Sequence, residues 1–301
     1  MNKIDIHKDY LYNKNIINDI TLIHISDIHF NSKTKIQKLN NIIKEIQLQK
    51  PNYIVITGDL IDSPKVTKEK EIINLLNFLK SLSKIAKTLI AIGNHDVFKE
   101  KDYQFFKEIN KLDNIIVLDN KAYKDDYIYI SGFTLPTSYY YNLDGKESID
   151  TLLEHLNKHQ NLLKKLPTYI PKVSLIHSPI RLPEEKILNI LKEYDLLLSG
   201  HTHNGMVPKF LSKLFKKNQG IIAPRKGLFP KVARGKLEIN MFNKTITIII
   251  NGGITKLGEK SANILSKLNF IYNIDINKII ITNKKGIKKW AKLKISKEEK
   301  Y

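Results

Sequence analysis

Three features of the 301-residue chain predict an α/β fold built around a largely parallel sheet. Short apolar runs alternate with stretches of helical periodicity as far as Ser199. Five of those runs are followed at once by a cluster of polar, chemistry-bearing residues. Beyond Leu237 the rhythm changes to paired strand patterns.

The alternation begins with an apolar strand at Thr21 to Ile25, a helical pattern from Ile36 to Leu48 and a strand at Tyr53 to Thr57. A helix from Glu69 to Leu82 leads into the strand Thr88 to Ile92, and one from Asp102 to Lys111 into Ile115 to Leu118. Units of this kind join parallel strands by right-handed crossovers. A hairpin follows (Ala122 to Lys124 with Tyr127 to Ser131), then a helix from Ile149 to Lys165 and the strand Val173 to Ile176. A helix from Glu184 to Glu193 and the strand Leu196 to Ser199 complete the series. Leu237 to Met241 and Thr245 to Ile250, joined by Phe242-Asn243-Lys244, read as a second hairpin, and Asn269 to Ile281 as further strand material. No repeat, Ser/Pro linker or low-complexity block divides the chain, so one domain is expected over residues 1–283 with a basic tail over 284–301.

With 42% hydrophobic and 27% charged residues the chain can bury a sizeable core, which excludes collagen-like and largely disordered classes. It has no cysteine, which rules out disulfides, thiolate zinc sites, iron-sulfur clusters and cysteine nucleophiles. Any metal must therefore sit on His, Asp, Glu or Asn. No apolar run approaches the ~20 residues that span a bilayer, and the first residues, MNKIDIHKDYLYNK, carry no export pattern. A cytoplasmic protein is expected.

The net charge is +20, and its distribution is uneven. Lys209 to Lys236 holds nine Lys or Arg and no acid, and Lys284 to Tyr301 holds eight Lys against two Glu. These segments account for fifteen of the twenty net positive charges. In the first, Phe210, Leu211, Leu214, Phe215, Ile221, Ile222, Leu228 and Phe229 are interleaved with the cations. This mixture favours peripheral contact with an anionic membrane, at its inner face, over nucleic acid.

The polar clusters carry the chemistry. Asp27-Ile28-His29 follows the first of these strands, Gly58-Asp59-Leu60-Ile61-Asp62 the second and Gly93-Asn94-His95-Asp96 the third. His177 follows VSLI, and Gly200-His201-Thr202-His203 follows DLLLS. The carboxyl ends of strands in such a sheet form the edge where ligands bind, so these residues converge. Asp27, His29, Asp59, Asn94, His177, His201 and His203 form a set of carboxylates, one amide oxygen and imidazoles suited to Mn, Fe or Zn. Seven donors are too many for one tetrahedral ion and suit two octahedral ions completed by water.

Taken singly, a block such as Asp27-Ile28-His29 is more often a turn than a ligand pair. Together, DIH, GDLID, GNHD, the lone His177 and GHTH, in this order over Thr21 to Gly205, resemble the calcineurin-like metallophosphoesterase superfamily. The resemblance implies a four-layer αββα sandwich and two divalent ions. Asp27, His29, Asp59 and His203 would hold one ion and Asp59, Asn94, His177 and His201 the other, with Asp59 bridging. His95 would donate a hydrogen bond or proton to the phosphoryl group or leaving oxygen, with Asp96 orienting its imidazole. The stretches HTHNGMVP, LFPKVARG and INGGI are similar to a bacterial branch of predicted phosphohydrolases, frequently membrane-associated.

The expected function is hydrolysis of phosphate monoesters or diesters by a metal-bridging hydroxide, acting at a membrane surface. A nuclease of the same superfamily is the nearer alternative, and a catalytically inactive interaction scaffold the alternative of another class. A phosphoprotein phosphatase would show Arg in the second block and Glu closing the third, and a lipid-sugar pyrophosphohydrolase usually carries Arg in place of His95. Asp62 is expected to support a ligand or the local structure, and His24 to pack within its strand. His7, His155 and His159 read as surface positions, and Tyr139-Tyr140-Tyr141 as an aromatic cover over the sheet. Arg181 is as readily a solvated residue at a helix start as a phosphate contact.

Overall fold

Two six-stranded sheets carry the architecture in the computed structural model, which describes residues 3–62, 69–96, 99–136, 139–140, 146–179, 189–216, 218–223, 227–241, 244–256 and 267–284. The first has the order β1 (Ile4–Tyr12), β14 (Ile274–Thr282), β2 (Ile20–Ile25), β3 (Tyr53–Thr57), β4 (Lys87–Ala91), β5 (Ile115–Val117). The second runs β12 (Gly235–Met241), β13 (Lys244–Ile250), β9 (Leu196–Ser199), β8 (Lys172–Ile176), β7 (Tyr129–Phe133), β6 (Lys121–Lys124). β2 to β5 are parallel, as are β7, β8, β9 and β13, and the edges β6 and β12 are antiparallel. A separate ribbon pairs β10 (Ile222–Ala223) with β11 (Gly227–Leu228).

The side-chain alternation of the strands builds the layers. Leu22, Val55 and Leu89 of the first sheet face Val173, Leu175, Leu196 and Leu198 of the second in one buried cluster. Their neighbours Ile23, Ile54 and Ile90 point outward to helices α1 (Ile36–Leu48) and α2 (Glu69–Ile85) through Leu39, Ile42, Ile46, Leu75 and Leu79. Helix α3 (Lys99–Asn110) adds Phe105 and Ile109 to the same cluster, and α4 (Lys146–Lys165) covers the second sheet through Leu156 and Leu163. The result is the four-layer sandwich. Strands buried on both faces read as unbroken apolar runs, which is why YIVIT was legible as β3. α1 ends because Lys50 turns into the left-handed region (φ 47°) and Pro51 follows.

Several boundaries differ from expectation. β1 has no counterpart in the sequence reading: IDIHKDYLY breaks its alternation at His7-Lys8-Asp9, and the strand exists because it pairs in parallel with β14 at the sheet edge. β7 starts at Tyr129 rather than Tyr127, since the Asp125 carboxylate accepts the amides of Tyr127 and Ile128 and holds a turn there. Residues 267–271 form a 3-10 turn rather than strand, and β14 begins at Ile274. Of the expected helix 184–193, residues 189–191 are helical and those before them lie outside the described residues, as do Arg181, Tyr141 and the tail beyond Lys284. Among the described residues no helix is long and apolar enough to cross a membrane.

Candidate metal centre

The chain leaves β2, β3 and β9 abruptly, and the backbone shows it. Asp27 (φ 51°), His29 (φ 45°), Asp59 (φ 54°), His201 (φ 66°) and His203 (φ 48°) all lie in the left-handed region. Such conformations are costly outside glycine and gather at functional sites, where the surroundings enforce them. Here the enforcement is a ladder that continues past the strand ends: Asp27 N donates to Gly58 O (3.1 Å), His29 N to Asp59 O (3.0 Å) and Phe30 N to Leu60 O (2.9 Å). Two glycines make room for it. A Cβ on Gly93 would collide with the Asp59 carboxylate, and one on Gly200 with Ser26 and the Asp27 carboxylate.

All seven residues expected as ligands meet at this edge. Donor atoms of Asp27, His29 and His203 lie within 4.8 Å of one another, and so do those of Asp59, His177 and His201. His29 joins the two groups, its Nε2 being 3.7 Å from Asp27 Oδ1 and 3.6 Å from Asp59 Oδ2. Asn94 stands at the second group, its Oδ1 3.0 Å from His177 Nε2. Two imidazoles are oriented from behind: His177 Nδ1 donates to the Thr57 carbonyl (2.6 Å) and His203 Nδ1 to the Thr255 carbonyl (3.1 Å). Each therefore turns Nε2 into the site, the arrangement in which an imidazole serves as a ligand.

The electrostatics fit cations. Both nitrogens of His29, Asp59 Oδ2 and His201 Nε2 are buried and lack a hydrogen bond, a costly condition unless something else satisfies them. Burial disfavours a charged His29, but the Asp27, Asp62 and Asp59 carboxylates beside it override this and raise it to about 10. His177 is raised to about 9 in the same way, chiefly by Asp59 acting against burial. His203, which burial lowers to about 4, and His201, lowered by burial and the His177 charge, are neutral donors. The Asp59 carboxyl, despite its burial, is held well below the usual range by the His177, His29 and His95 charges. Without metal the carboxylates recruit protons on two imidazoles; divalent ions would supply the same charge and free those lone pairs.

Asp96 meets backbone amides and not the His95 imidazole that it was expected to orient. Both Asp96 oxygens accept backbone amides, Oδ2 from Asp59 (2.7 Å) and Gly93 (2.9 Å) and Oδ1 from Leu60 (2.8 Å). The His95 imidazole is instead tied through Nδ1 to the Asp62 carbonyl, and its own amide donates to Asp59 Oδ1 (2.8 Å). Burial and the Asp59 charge raise the Asp96 carboxyl to about 7. Asp62 supports the site directly, its Oδ1 3.6 Å from His29 Nδ1. Tyr140, expected as part of a cover, is buried with its ring 5.3 Å from that of His201, and its hydroxyl has no partner. Nothing local in the triple tyrosine marks Tyr140; tertiary placement selects it. His24 is buried as expected and bonds Thr57 Oγ1 (2.9 Å). His159 is not a simple surface residue, because its Nδ1 meets the Tyr129 hydroxyl at 2.7 Å.

A family model described as calcineurin-like phosphoesterase matches residues 20–205, more than half of the chain. The chain belongs to that family. An uncharacterized metallophosphoesterase of Campylobacter jejuni is 27% identical over 227 residues, covering 75% of this chain and 54% of its own length. A second, from Helicobacter pylori, is 27% identical over 66% of this chain and 49% of its own length. The chain thus spans about half the length of these curated relatives. The UDP-2,3-diacylglucosamine pyrophosphatase LpxG of Chlamydia muridarum is 23% identical, covering 71% of this chain and 74% of that protein. Among solved structures, a dimetal phosphatase of Danio rerio superposes with a TM-score of 0.45 at 10% identity, covering 78% of this chain and 87% of the other.

Proposed function

We propose that this phosphoesterase hydrolyses phosphate esters, as a phosphomonoesterase or phosphodiesterase, with two divalent ions of Mn, Fe or Zn. Asp27, His29, Asp59 and His203 would hold one ion, and Asp59, Asn94, His177 and His201 the other. The observation that carries this reading is the pair of buried donor groups, Asp27/His29/His203 and Asp59/His177/His201, in which both His29 nitrogens and His201 Nε2 make no hydrogen bond. Bound there, the ions supply Lewis-acid charge for the phosphoryl oxygens and a water of lowered pKa.

The chain's own residues do the rest. Asp59 presents Oδ2 to both groups while the His95 amide fixes its Oδ1. Thr57 and Thr255 fix the tautomers of His177 and His203 through their carbonyls. His95, anchored through Nδ1 to Asp62, has Nε2 left for a proton or hydrogen bond to the phosphoryl or leaving oxygen. The Asp62 carbonyl thus takes the orienting role, and Asp96 acts as the clamp on the Asp59 turn.

A nuclease remains the second reading because nine cations without an acid follow the last histidines. A metal-free scaffold is disfavoured because all seven donors are present and six of them, all but the half-buried Asn94, are buried. The pyrophosphatase from Chlamydia muridarum adds a diphosphate, UDP-2,3-diacylglucosamine, to the substrate panel. The test is hydrolysis of nitrophenyl mono- and diesters, that diphosphate and oligonucleotides with added Mn²⁺. Turnover abolished by chelation and restored by metal supports the hydrolase. Metal binding without turnover of any ester favours another role.

A further inference from the structure

Six of the fourteen exposed large apolar side chains among the described residues fall in two short segments: Phe210, Leu214, Ile222, Leu228 and Phe229 in one, Phe270 in the other. Single exposed apolar residues are ordinary, but a gathering of them marks an interaction surface. Leu214 is 78% exposed, Phe210 71% and Leu228 69%. They belong to one lobe. Ile221 N donates to Gly205 O (2.8 Å), Phe229 N donates to Ile221 O (2.7 Å), and Ile222 pairs with Leu228. Arg234 reaches the Ser212 carbonyl (3.4 Å), and the Tyr272 hydroxyl reaches Met206 O (3.5 Å), which brings the turn bearing Phe270 to the same place.

Two observations say what this lobe meets. Phe229 sits in the left-handed region (φ 51°) while its side chain is 58% exposed, so a strained aromatic is presented outward with little packing in return. The same stretch, Lys209 to Lys236, has nine cations and no acid, with Lys213, Lys216 and Lys231 exposed. A second copy would bring the same charge against itself and be repelled. Nucleic acid would use the cations and stack on aromatics, but leaves Leu214 and Leu228 in water. An anionic bilayer interface takes both kinds of group.

We infer that this lobe docks the protein on an anionic lipid bilayer, with Phe210, Leu214, Leu228 and Phe229 entering the interface and the lysines engaging lipid headgroups. The lobe hangs from Gly205 and Met206, immediately after His203, so docking places the metal edge at the bilayer. Resting on the hydrolase reading, the ester served is one presented at that surface.

Sedimentation of the full chain with phosphatidylcholine vesicles, with and without phosphatidylglycerol, tests this. Binding is expected only with the anionic lipid and should weaken with salt. Lys213→Glu/Lys216→Glu/Lys231→Glu should lower partitioning by on the order of a hundredfold, at about fivefold per cation near the surface. Phe210→Ser/Leu214→Ser should weaken binding while the remainder keeps its salt dependence. Both variants should retain hydrolysis of a soluble nitrophenyl ester. Asp59→Asn should lose turnover yet dock like the parent protein, and a parent protein that docks but hydrolyses no ester counts against the hydrolase reading and not against the lobe. The inference is overturned if the parent protein ignores anionic vesicles, if both variants bind as it does, or if the lysines retain oligonucleotides but no lipid.

Discussion

Asp96 Oδ2 accepts the backbone amide of Asp59 at 2.7 Å, and in doing so fixes the turn that carries the Asp59 carboxylate. Asp59 is in the left-handed region (φ 54°), and the second Asp96 oxygen holds the next amide, Leu60, at 2.8 Å. An asparagine keeps one acceptor and turns an NH₂ toward backbone donors. Asp96→Asn should therefore cost about 1–3 kcal/mol in stability for the amide left unsatisfied, and should weaken metal binding. Thermal melting and metal titration check this. A variant with normal metal affinity but altered dependence on leaving-group pKa would return Asp96 to the role of orienting His95.

His95→Asn is expected to keep its metal and lose about 10²–10⁴-fold in rate on esters with poor leaving groups. Activated nitrophenyl esters need less help from an acid and should lose less. A Brønsted plot over leaving groups is the measurement, and equal losses across the series would remove the proton-donor role.

Tyr140→Phe separates a ligand contact from a packing role. The hydroxyl is buried without a partner beside His201, a position where a phosphoryl oxygen would satisfy it. Turnover should fall by on the order of tenfold, as for one lost hydrogen bond to a charged group, while the melting temperature holds or rises. A lower melting temperature with unchanged kinetics would show that the hydroxyl serves only the fold.

Asp125 gives a pH signature remote from the metal edge. Its carboxylate accepts the Tyr53 hydroxyl (2.6 Å) and the Tyr123 hydroxyl (2.7 Å), tying the β6–β7 turn to β3. Burial opposes ionisation, but these bonds and the Tyr127 and Ile128 amides hold the carboxyl below its usual value. A depressed folded-state pKa stabilises above the unfolded value, near 3.9, and the contribution is lost as pH falls through the folded value. Asp125→Asn should thus cost about 1 kcal/mol at neutral pH after allowance for solvent screening. Denaturant titrations at a series of pH values should show the gap closing below about pH 4.

The parts of the site that were legible are those where a buried apolar run stops at a polar residue. ITLIHI before Asp27 and YIVIT before Asp59 are such breaks, the kind of local inconsistency expected at functional or strained sites. The central core was legible for the same reason, since parallel strands are apolar on both faces. β1 was not, because its order comes from nine register pairs with β14, more than 260 residues away in sequence. The part played by Asp96 was hidden because backbone amides, not side chains, receive its carboxylate. Tyr140 could not be separated from Tyr139, since only the tertiary packing brings one of them against His201.

Metal stoichiometry, measured by elemental analysis on the parent protein and Asp59→Asn after saturation with Mn²⁺, tests the shared-carboxylate centre most directly. A neutral amide cannot bridge two cations as a carboxylate does. The parent protein should hold about two ions per chain, and Asp59→Asn should hold no more than about one and lose turnover with its fold intact. A parent protein saturating at one ion, or an Asp59→Asn variant that keeps two with near-normal turnover, would contradict the assignment.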